Sequence, residues 1–150
     1  MSIRITIIES SPEIRAWVRD AIRPEMEIVA EFAQAPGAPE LRAVRADVIC
    51  FGEQAARRAA RTGNRLALDG MKLICLVSTA TTHAVDFALT AGAFGCVLNA
   101  SIPLEIAPAI ETVAAGRYFA SPSITSLVAT RYRDHLLHRP ASGNPKTSRT

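Results

Sequence analysis

Three cysteines are the most reactive side chains in this sequence, and each of them lies within an apolar run. Cys50, Cys75 and Cys96 are odd in number and show neither a CxxC motif nor Cys/His spacing, so neither a disulfide framework nor a zinc site is indicated. Thiols that neighbouring strands bring to one crevice could act as a redox or metal sensor. Cysteine is also one of the most frequently buried residue types. We therefore favour core positions over a sensor.

Basic side chains could carry a second kind of chemistry, the binding of an acidic partner or a phosphorylated ligand. The cluster with this potential consists of Arg57, Arg58, Arg61 and Arg65. A solvated helix face is the commoner role of such a cluster, but only Glu53 lies near it in the sequence to balance four guanidinium groups. The histidines are His83, His135 and His138. They lack metal-ligand spacing apart from the i, i+3 pair near the end, so we expect them to be solvated.

Motifs of known catalysis are missing from the chain. It has no Gly-rich phosphate loop, no nucleophile elbow and no paired catalytic carboxylates, so we predict that it is not an enzyme and needs no cofactor. The net charge of +3 arises from Arg139, Lys146 and Arg149, because the preceding residues hold 14 basic and 14 acidic side chains. A general phosphate-binding surface is therefore not expected.

The sequence shows no targeting or membrane signal. The N-terminal residues carry charge where a signal peptide needs an apolar core. The longest uncharged stretch, residues 87–104, is interrupted by Gly92, Gly95, Asn99 and Pro103, which argues against a membrane span. Together with the free cysteines, these features predict a cytoplasmic protein with no membrane contact.

Apolar periodicity alternates between strands and helices along the chain. We predict strands over residues 3–8, 27–33, 47–51, 73–77 and 96–98. The first three helices are expected over residues 12–23, 39–45 and 53–65. Ser10 or Ser11 should cap the first helix, and Thr81 or Thr82 the fourth, which Gly92 ends. A fifth helix is expected from Pro103 to Gly116. Five strands that alternate with five helices favour a mostly parallel sheet covered on both faces.

A sixth helix is expected after Ser121 and Pro122, extending to about His138. We predict a folded domain over residues 1–120, an additional helix over residues 121–138, and a flexible basic linker or tail over residues 139–150. Because the sixth helix is extra to a five-stranded core, we expect a homodimer. The apolar residues that could pair two subunits are Trp17, Ile110, Val113, Ile124, Leu127 and Val128. The alternative is that they cover the sheet.

Several landmarks occur in the order typical of one signalling family. Glu9 closes the first strand, residues 47–49 read Asp-Val-Ile, Ser78 follows the fourth strand, and residues 92–95 read Gly-Ala-Phe-Gly. Residues 109–122, AIETVAAGRYFASP, follow the pattern with which NarL/LuxR-like receivers end. Residues 3–138 thus resemble the receiver domain of two-component response regulators. The resemblance implies an α/β, flavodoxin-like (CheY-like) doubly wound five-stranded parallel sheet, in strand order 2-1-3-4-5, with an extra C-terminal helix.

Receivers of this family accept a phosphoryl group on an aspartate after the third strand, with Mg²⁺ held by an acidic pair after the first. The resemblance places Gly52 at the aspartate and Glu9 with Ser10 at the acidic pair. Asn99 replaces the phosphate-binding lysine, and Cys96 replaces the switch aromatic. Ser78 alone matches in kind. The resemblance therefore implies a degenerate receiver that cannot be phosphorylated.

Glu53 follows the position of the missing aspartate and could place a permanent carboxylate in the pocket. A glutamate in the first turn of a helix is the simpler interpretation, and we favour it.

The predicted function is that of an atypical, phosphorylation-independent receiver-like domain of a transcription regulator, acting by dimerisation or by holding an output module. DNA binding is implied only through an output domain that this chain does not contain, so the chain is either a fragment or a stand-alone receiver. The alternative is a small-molecule sensor whose ligand occupies the crevice formed by Glu9, Ser10, Gly52, Glu53, Ser78 and Asn99.

Overall fold

Alternating strands and helices form the chain, which a computed structural model describes over residues 2–61 and 71–137 of 150. The strands are β1 (Ile3–Ile8), β2 (Met26–Phe32), β3 (Val48–Gly52), β4 (Lys72–Val77), β5 (Gly95–Leu98) and β6 (Phe119–Ala120). The helices are α1 (Pro12–Ala21), α2 (Ala38–Val44), α3 (Glu53–Arg61), α4 (Thr82–Thr90), α5 (Ile102–Ala114) and α6 (Pro122–Leu137). The first five strands begin and end within one residue of their predicted bounds.

Within the described residues the strands form one parallel sheet in the order β2-β1-β3-β4-β5-β6. The predicted α/β class and the order 2-1-3-4-5 are confirmed, and β6 is added at the β5 edge. With only two residues, β6 is too short to show an alternating apolar pattern, so it could not be predicted from the sequence. The backbone bonds from Phe119 N to Phe94 O (3.0 Å) and from Ser121 N to Cys96 O (3.0 Å) hold this strand in place.

Alternate strand residues supply two apolar cores, one on each face of the sheet. In β3, Val48 and Cys50 face the core beneath α1 and α5, whereas Ile49 and Phe51 face the core beneath the other helices. All four are essentially buried. Strands covered on both faces become continuous apolar runs, which is why the sequence pattern predicted them well.

Local signals set most helix ends as expected. The Ser11 side chain caps α1 by accepting a hydrogen bond from Ile14 N, and Thr81 caps α4 in the same way through Ala84 N. Gly92 (φ 80°) and Gly116 (φ 84°) follow α4 and α5 in the left-handed region that favours glycine. The helix predicted to begin at Pro103 begins one residue earlier, after a 3₁₀ turn over Asn99–Ser101.

The predicted sixth helix is confirmed over Pro122–Leu137. It packs against α4 and β5, and its Ile124 is fully buried in the same core as α3 and α4. The predicted final residue of this helix, His138, and the predicted tail over residues 139–150 lie outside the described residues, as does the predicted part of the third helix after Arg61. In the described parts of the chain, no helix has the length and apolar character needed to cross a bilayer.

Candidate functional site

A polar cleft of about 550 Å³ opens at the carboxyl ends of the central strands. In a parallel sheet these ends share one edge, and ligands usually bind where the strand order reverses, as it does here between β1 and β3. The residues predicted from the sequence that line the cleft are Glu9, Ser10, Glu53, Ser78 and Asn99. The structure therefore brings the predicted pocket residues together, and Gly52 lies directly beside Glu9.

Six further residues line the cleft. Four of them were not expected there from the sequence, namely Ser11, Ile14, Gln54 and Leu76. Arg57 and Arg58 were expected on a separate partner surface. Most of these residues lie on the first turns of α1 and α3, directly after strands that end at the cleft. Their proximity to Glu9 and Glu53 in the sequence was the signal that could have identified them.

Glu9 occupies the space where a side chain at position 52 would lie. An ideal Cβ built on Gly52 would be 2.1 Å from Glu9 Oε1 and 2.8 Å from its Cδ. The carboxylate is held there because its Oε2 accepts hydrogen bonds from Ser11 N (2.8 Å) and Ser10 Oγ (3.4 Å). Glu9 is only 7% exposed. The end of β3 thus lacks a side chain, and the carboxylate of the residue that follows β1 fills the space.

Arg57 is held in place by contacts on three sides. Its Nε (3.1 Å) and Nη2 (2.5 Å) both donate to Glu53 Oε2, one helical turn away. Its Nη1 lies 3.0 Å from His83 Nε2, and its guanidinium stacks 4.7 Å above the Phe87 ring. Since guanidinium only donates, His83 Nε2 must accept. Glu53 is therefore an ion-paired residue of the first helical turn, and it does not reach into the cleft as a free carboxylate.

Two polar groups complete the site from β4 and β5. Ser78 follows β4 and is exposed, while Asn99 follows β5 with its Oδ1 buried. No donor to Asn99 Oδ1 is found among the described residues, and buried oxygens of this kind are rare in native proteins. Arg58 is exposed beside them. The cleft thus presents the carboxylate of Glu9 and an amide oxygen without a donor among the described residues, with an exposed guanidinium in its lining.

Comparison with known proteins identifies the architecture around this cleft. A two-component response regulator of the LuxR family from Aurantimonas sp. SI85-9A1 is 27% identical over 89% of this chain and 99% of its own, with a TM-score of 0.71. The receiver domain of a response regulator NarL from Mycobacterium tuberculosis is 21% identical over 77% of this chain and 98% of its own (TM-score 0.62). The isolated receiver domain of RcsB from Salmonella enterica is 15% identical over 85% and 99% (TM-score 0.65).

The chain has the receiver fold. Its similarity is to receiver domains of the LuxR, NarL and RcsB type, which are parts of response regulators. No family model and no curated protein matches the sequence. The resemblance inferred from residues 3–138 is therefore confirmed by three-dimensional structure.

The receiver fold implies a magnesium site, and the residues of this chain do not fit one. Mg²⁺ is usually held by one or two carboxylates together with phosphate oxygens and water. Here Glu53 is ion-paired with Arg57, which leaves Glu9 as the single carboxylate that the cleft could offer to a metal ion. No group of three or more potential ligands of the His, Cys, Asp or Glu type occurs among the residues that the structure describes.

The cysteines lie in the strands, as predicted, but not in the cleft. Cys75 and Cys96 are register partners on β4 and β5, and Cys50 faces the opposite core. Burial raises the pKa of the Cys50 thiol to about 12 and that of Cys96 to about 11, and it raises the pKa of Cys75 further. Glu53 adds to the shift at Cys75 and Cys96. Thiols with raised pKa values are poor nucleophiles and metal ligands, which supports core roles.

Cys96, which was expected at the switch position of the cleft, borders a second cavity. This cavity has a volume of about 330 Å³ and is mostly apolar, with walls supplied by α4, α6 and the β5–β6 edge. The Phe94 and Tyr118 rings, which also line it, stack on each other with centroids 4.7 Å apart.

The predicted dimer surface is only partly present. Ile110, Val113 and Ile124 are fully buried, so the prediction that they could contact a partner is wrong: they cover the sheet. Leu127 and Val128 are half-buried against the α4 side. Trp17 remains 42% exposed on α1. Of the arginine cluster, Arg61 contributes backbone only to what the structure describes and Arg65 lies outside it, so their predicted partner role has no structural description.

Proposed function

We propose that the chain is a phosphorylation-independent, receiver-like regulatory module of a transcription regulator, and not an enzyme. The observation that carries this proposal is the position of Glu9, whose carboxylate fills the place of a side chain on Gly52. In receivers, the residue at this point of the sheet is the aspartate that accepts phosphate. Glycine offers no nucleophile, and a neighbouring carboxylate repels an incoming phosphoryl group.

The rest of the cleft supports the same proposal. Asn99 stands where a receiver's lysine would pair with phosphate oxygens, and an amide supplies no positive charge. Arg57, the cation best placed to replace that lysine, is engaged by Glu53 and His83. The machinery for receiving and stabilising a phosphoryl group is therefore missing at several independent positions.

The module acts, in this proposal, as a constitutive homodimer or as a holder of an output domain. Two RcsB dimers bound to two parallel DNAs are among the similar structures, with a TM-score of 0.66 and 14% identity. By analogy, contact with DNA would come through an output domain outside this chain. The exposed Trp17 on α1 is the described aromatic residue best suited to a subunit contact, because Trp is enriched at interface hot spots.

The test is the molecular mass in solution by light scattering, with and without acetyl phosphate or beryllofluoride plus Mg²⁺. We expect a dimer whose mass neither reagent changes, and no phosphoryl adduct in the intact mass. A receiver domain with an intact aspartate serves as the positive control for both reagents. A monomer that dimerises on their addition, or a stable phosphoryl adduct, would show that Gly52 does not stand at a lost phosphoacceptor position.

A second candidate function is small-molecule sensing in the same cleft. It is favoured by the cleft's size, which falls within the range of ligand pockets, and by the unpaired oxygen of Asn99. Such a sensor would work by binding one quaternary state more tightly than the other.

A further inference from the structure

The charges of the cleft define the kind of ligand that fits it. Glu53 and Arg57 neutralise each other through two hydrogen bonds. The remaining charges in the lining are one carboxylate, Glu9, and one guanidinium, that of Arg58. A molecule that complements both must carry one positive and one negative group. An inorganic anion or a divalent cation would leave one charge of the cleft unmatched.

The positive group belongs on the Glu9 side. Glu9 Oε1 accepts no hydrogen bond from any described residue, because both donors in contact with this carboxylate go to Oε2. Asn99 lines the same cleft, and its buried Oδ1 is a second acceptor without a donor among the described residues. A buried acceptor without a donor, such as Asn99 Oδ1, is unfavourable, and a donor from a ligand would relieve that penalty. A primary ammonium group has three N–H donors and can satisfy both oxygens.

The negative group belongs at the rim, near Arg58. The Arg58 side chain is exposed to solvent. Guanidinium groups such as this one bind carboxylates through two parallel hydrogen bonds. Ile14 and Leu76 add an apolar wall to the same cleft. A volume of about 550 Å³ leaves room for a side chain in addition to the charged groups.

We propose that this cleft binds a free α-amino acid, with its ammonium on Glu9 and Asn99 and its carboxylate on Arg58. This proposal rests on the proposed function, because a cleft that accepted a phosphoryl group would not be free for such a ligand. Ser78 lines the same cleft, and its hydroxyl can both donate and accept a hydrogen bond.

The experiment is isothermal titration of the full chain with each of the twenty amino acids at millimolar concentration. We expect saturable binding for at least one of them. The N-acetyl derivative of that amino acid lacks the ammonium and should bind at least tenfold more weakly, and its amide, which lacks the carboxylate, should lose a similar factor. These derivatives test the proposal without altering the protein.

Variants assign the two ends. Glu9→Gln should abolish the preference for the free amine over the N-acetyl form. Arg58→Ala should abolish the preference for the carboxylate over the amide. Arg42→Ala removes an exposed arginine on α2, away from the cleft lining, and should leave binding unchanged.

Three results would overturn the proposal: no binding by any of the twenty amino acids, equal binding of blocked and free forms, or binding that Glu9→Gln and Arg58→Ala both leave intact. Inorganic phosphate and Mg²⁺ are titrated alongside, and tight binding of either one to the cleft would also contradict it. The light-scattering test separates the two proposals. A response to beryllofluoride contradicts the proposed function whatever the amino acids do, whereas a failed titration leaves a phosphate-blind dimer unaffected.

Discussion

At the scale of single residues, Gly52 and Glu9 form one structural unit. Gly52 leaves a space at the end of β3, and the carboxylate of Glu9, the residue after β1, lies in it with hydrogen bonds from Ser10 and Ser11. The position of the Glu9 side chain depends on the residue type at position 52, because any Cβ there would occupy the same space. A Gly52→Asp substitution would set two carboxylates against each other.

The Gly52→Ala substitution should destabilise the protein. The new Cβ would lie 2.1 Å from Glu9 Oε1, so the carboxylate must move and leave the Ser11 N–H without its charged acceptor. We expect a loss of about 2 kcal/mol in the free energy of unfolding, measured by urea denaturation. Gly37→Ala is the matched control, because its Cβ would meet only a Pro39 atom at 3.8 Å.

The cause of that loss can be isolated with Glu9→Ala. If the clash with the Glu9 carboxylate is responsible, Gly52→Ala should be nearly neutral in the Glu9→Ala background, with a coupling energy of about 1 kcal/mol or more. Additive effects of the two substitutions would mean that position 52 rejects a side chain for another reason.

The cysteine thiols should be unreactive in the folded state. A raised pKa means that the thiolate, which is the reactive form, is scarce at neutral pH and increases only as pH approaches the raised value. We expect Ellman's reagent to modify the native protein slowly at pH 8, and all three thiols to react at once in denaturant. Cys96, with a pKa raised only to about 11, should react first as pH rises. Rapid native modification at neutral pH would revive the sensor interpretation.

At the scale of elements, one buried serine ties α6 to the end of the sheet. The Ser121 hydroxyl donates to Glu105 Oε1 on α5 (2.5 Å) and accepts from Leu98 N at the end of β5 (3.2 Å). Ser121 is fully buried. Because Leu98 directly precedes Asn99, a ligand that moves Asn99 acts one residue away from the attachment of this helix.

Ser121→Ala should therefore destabilise the protein by about 1–3 kcal/mol, since it leaves the Glu105 carboxylate and the Leu98 N–H without their partner. Ser123→Ala changes an exposed serine two residues later and should shift stability by less than about 0.5 kcal/mol. Thermal unfolding of both variants measures the difference. Equal melting temperatures would show that the serine contributes nothing to the attachment of α6.

The elements that could be predicted from the sequence are those with strong local patterns. Buried parallel strands are continuous apolar runs, and caps such as Ser11 and Thr81 mark helix starts. β6 could not be predicted, because its two residues form a strand only through backbone bonds to β5. Five cleft residues could be predicted because they follow the ends of strands: Glu9, Ser10, Glu53, Ser78 and Asn99. The contacts of Arg57 with His83 and Phe87 depend on how α3 and α4 pack, which no local pattern encodes.

At the scale of the whole molecule, the faces of the helices differ in what they leave exposed. The apolar residues of α5 that were considered for a dimer contact are buried in the core. At the surface, an ion pair between Arg23 and Glu111 links the segment after α1 to α5. In that pair the guanidinium lowers the pKa of Glu111. What remains for a partner on this side is Trp17, flanked by charged residues of α1.

The exposed Trp17 makes α1 the expected contact surface of the proposed homodimer. If α1 supplies its contact, Trp17→Glu should convert the dimer toward monomer, because an unpaired carboxylate at a buried interface is strongly unfavourable. Sedimentation or light scattering should show a dissociation constant at least tenfold higher. Leu89→Glu is the matched control on α4, where Leu89 is 56% exposed on the opposite side of the sheet, and its dimer should resemble the wild type. The reverse result, a monomer from Leu89→Glu and a dimer from Trp17→Glu, would move the interface to the α4–α6 side, where the apolar cavity lies.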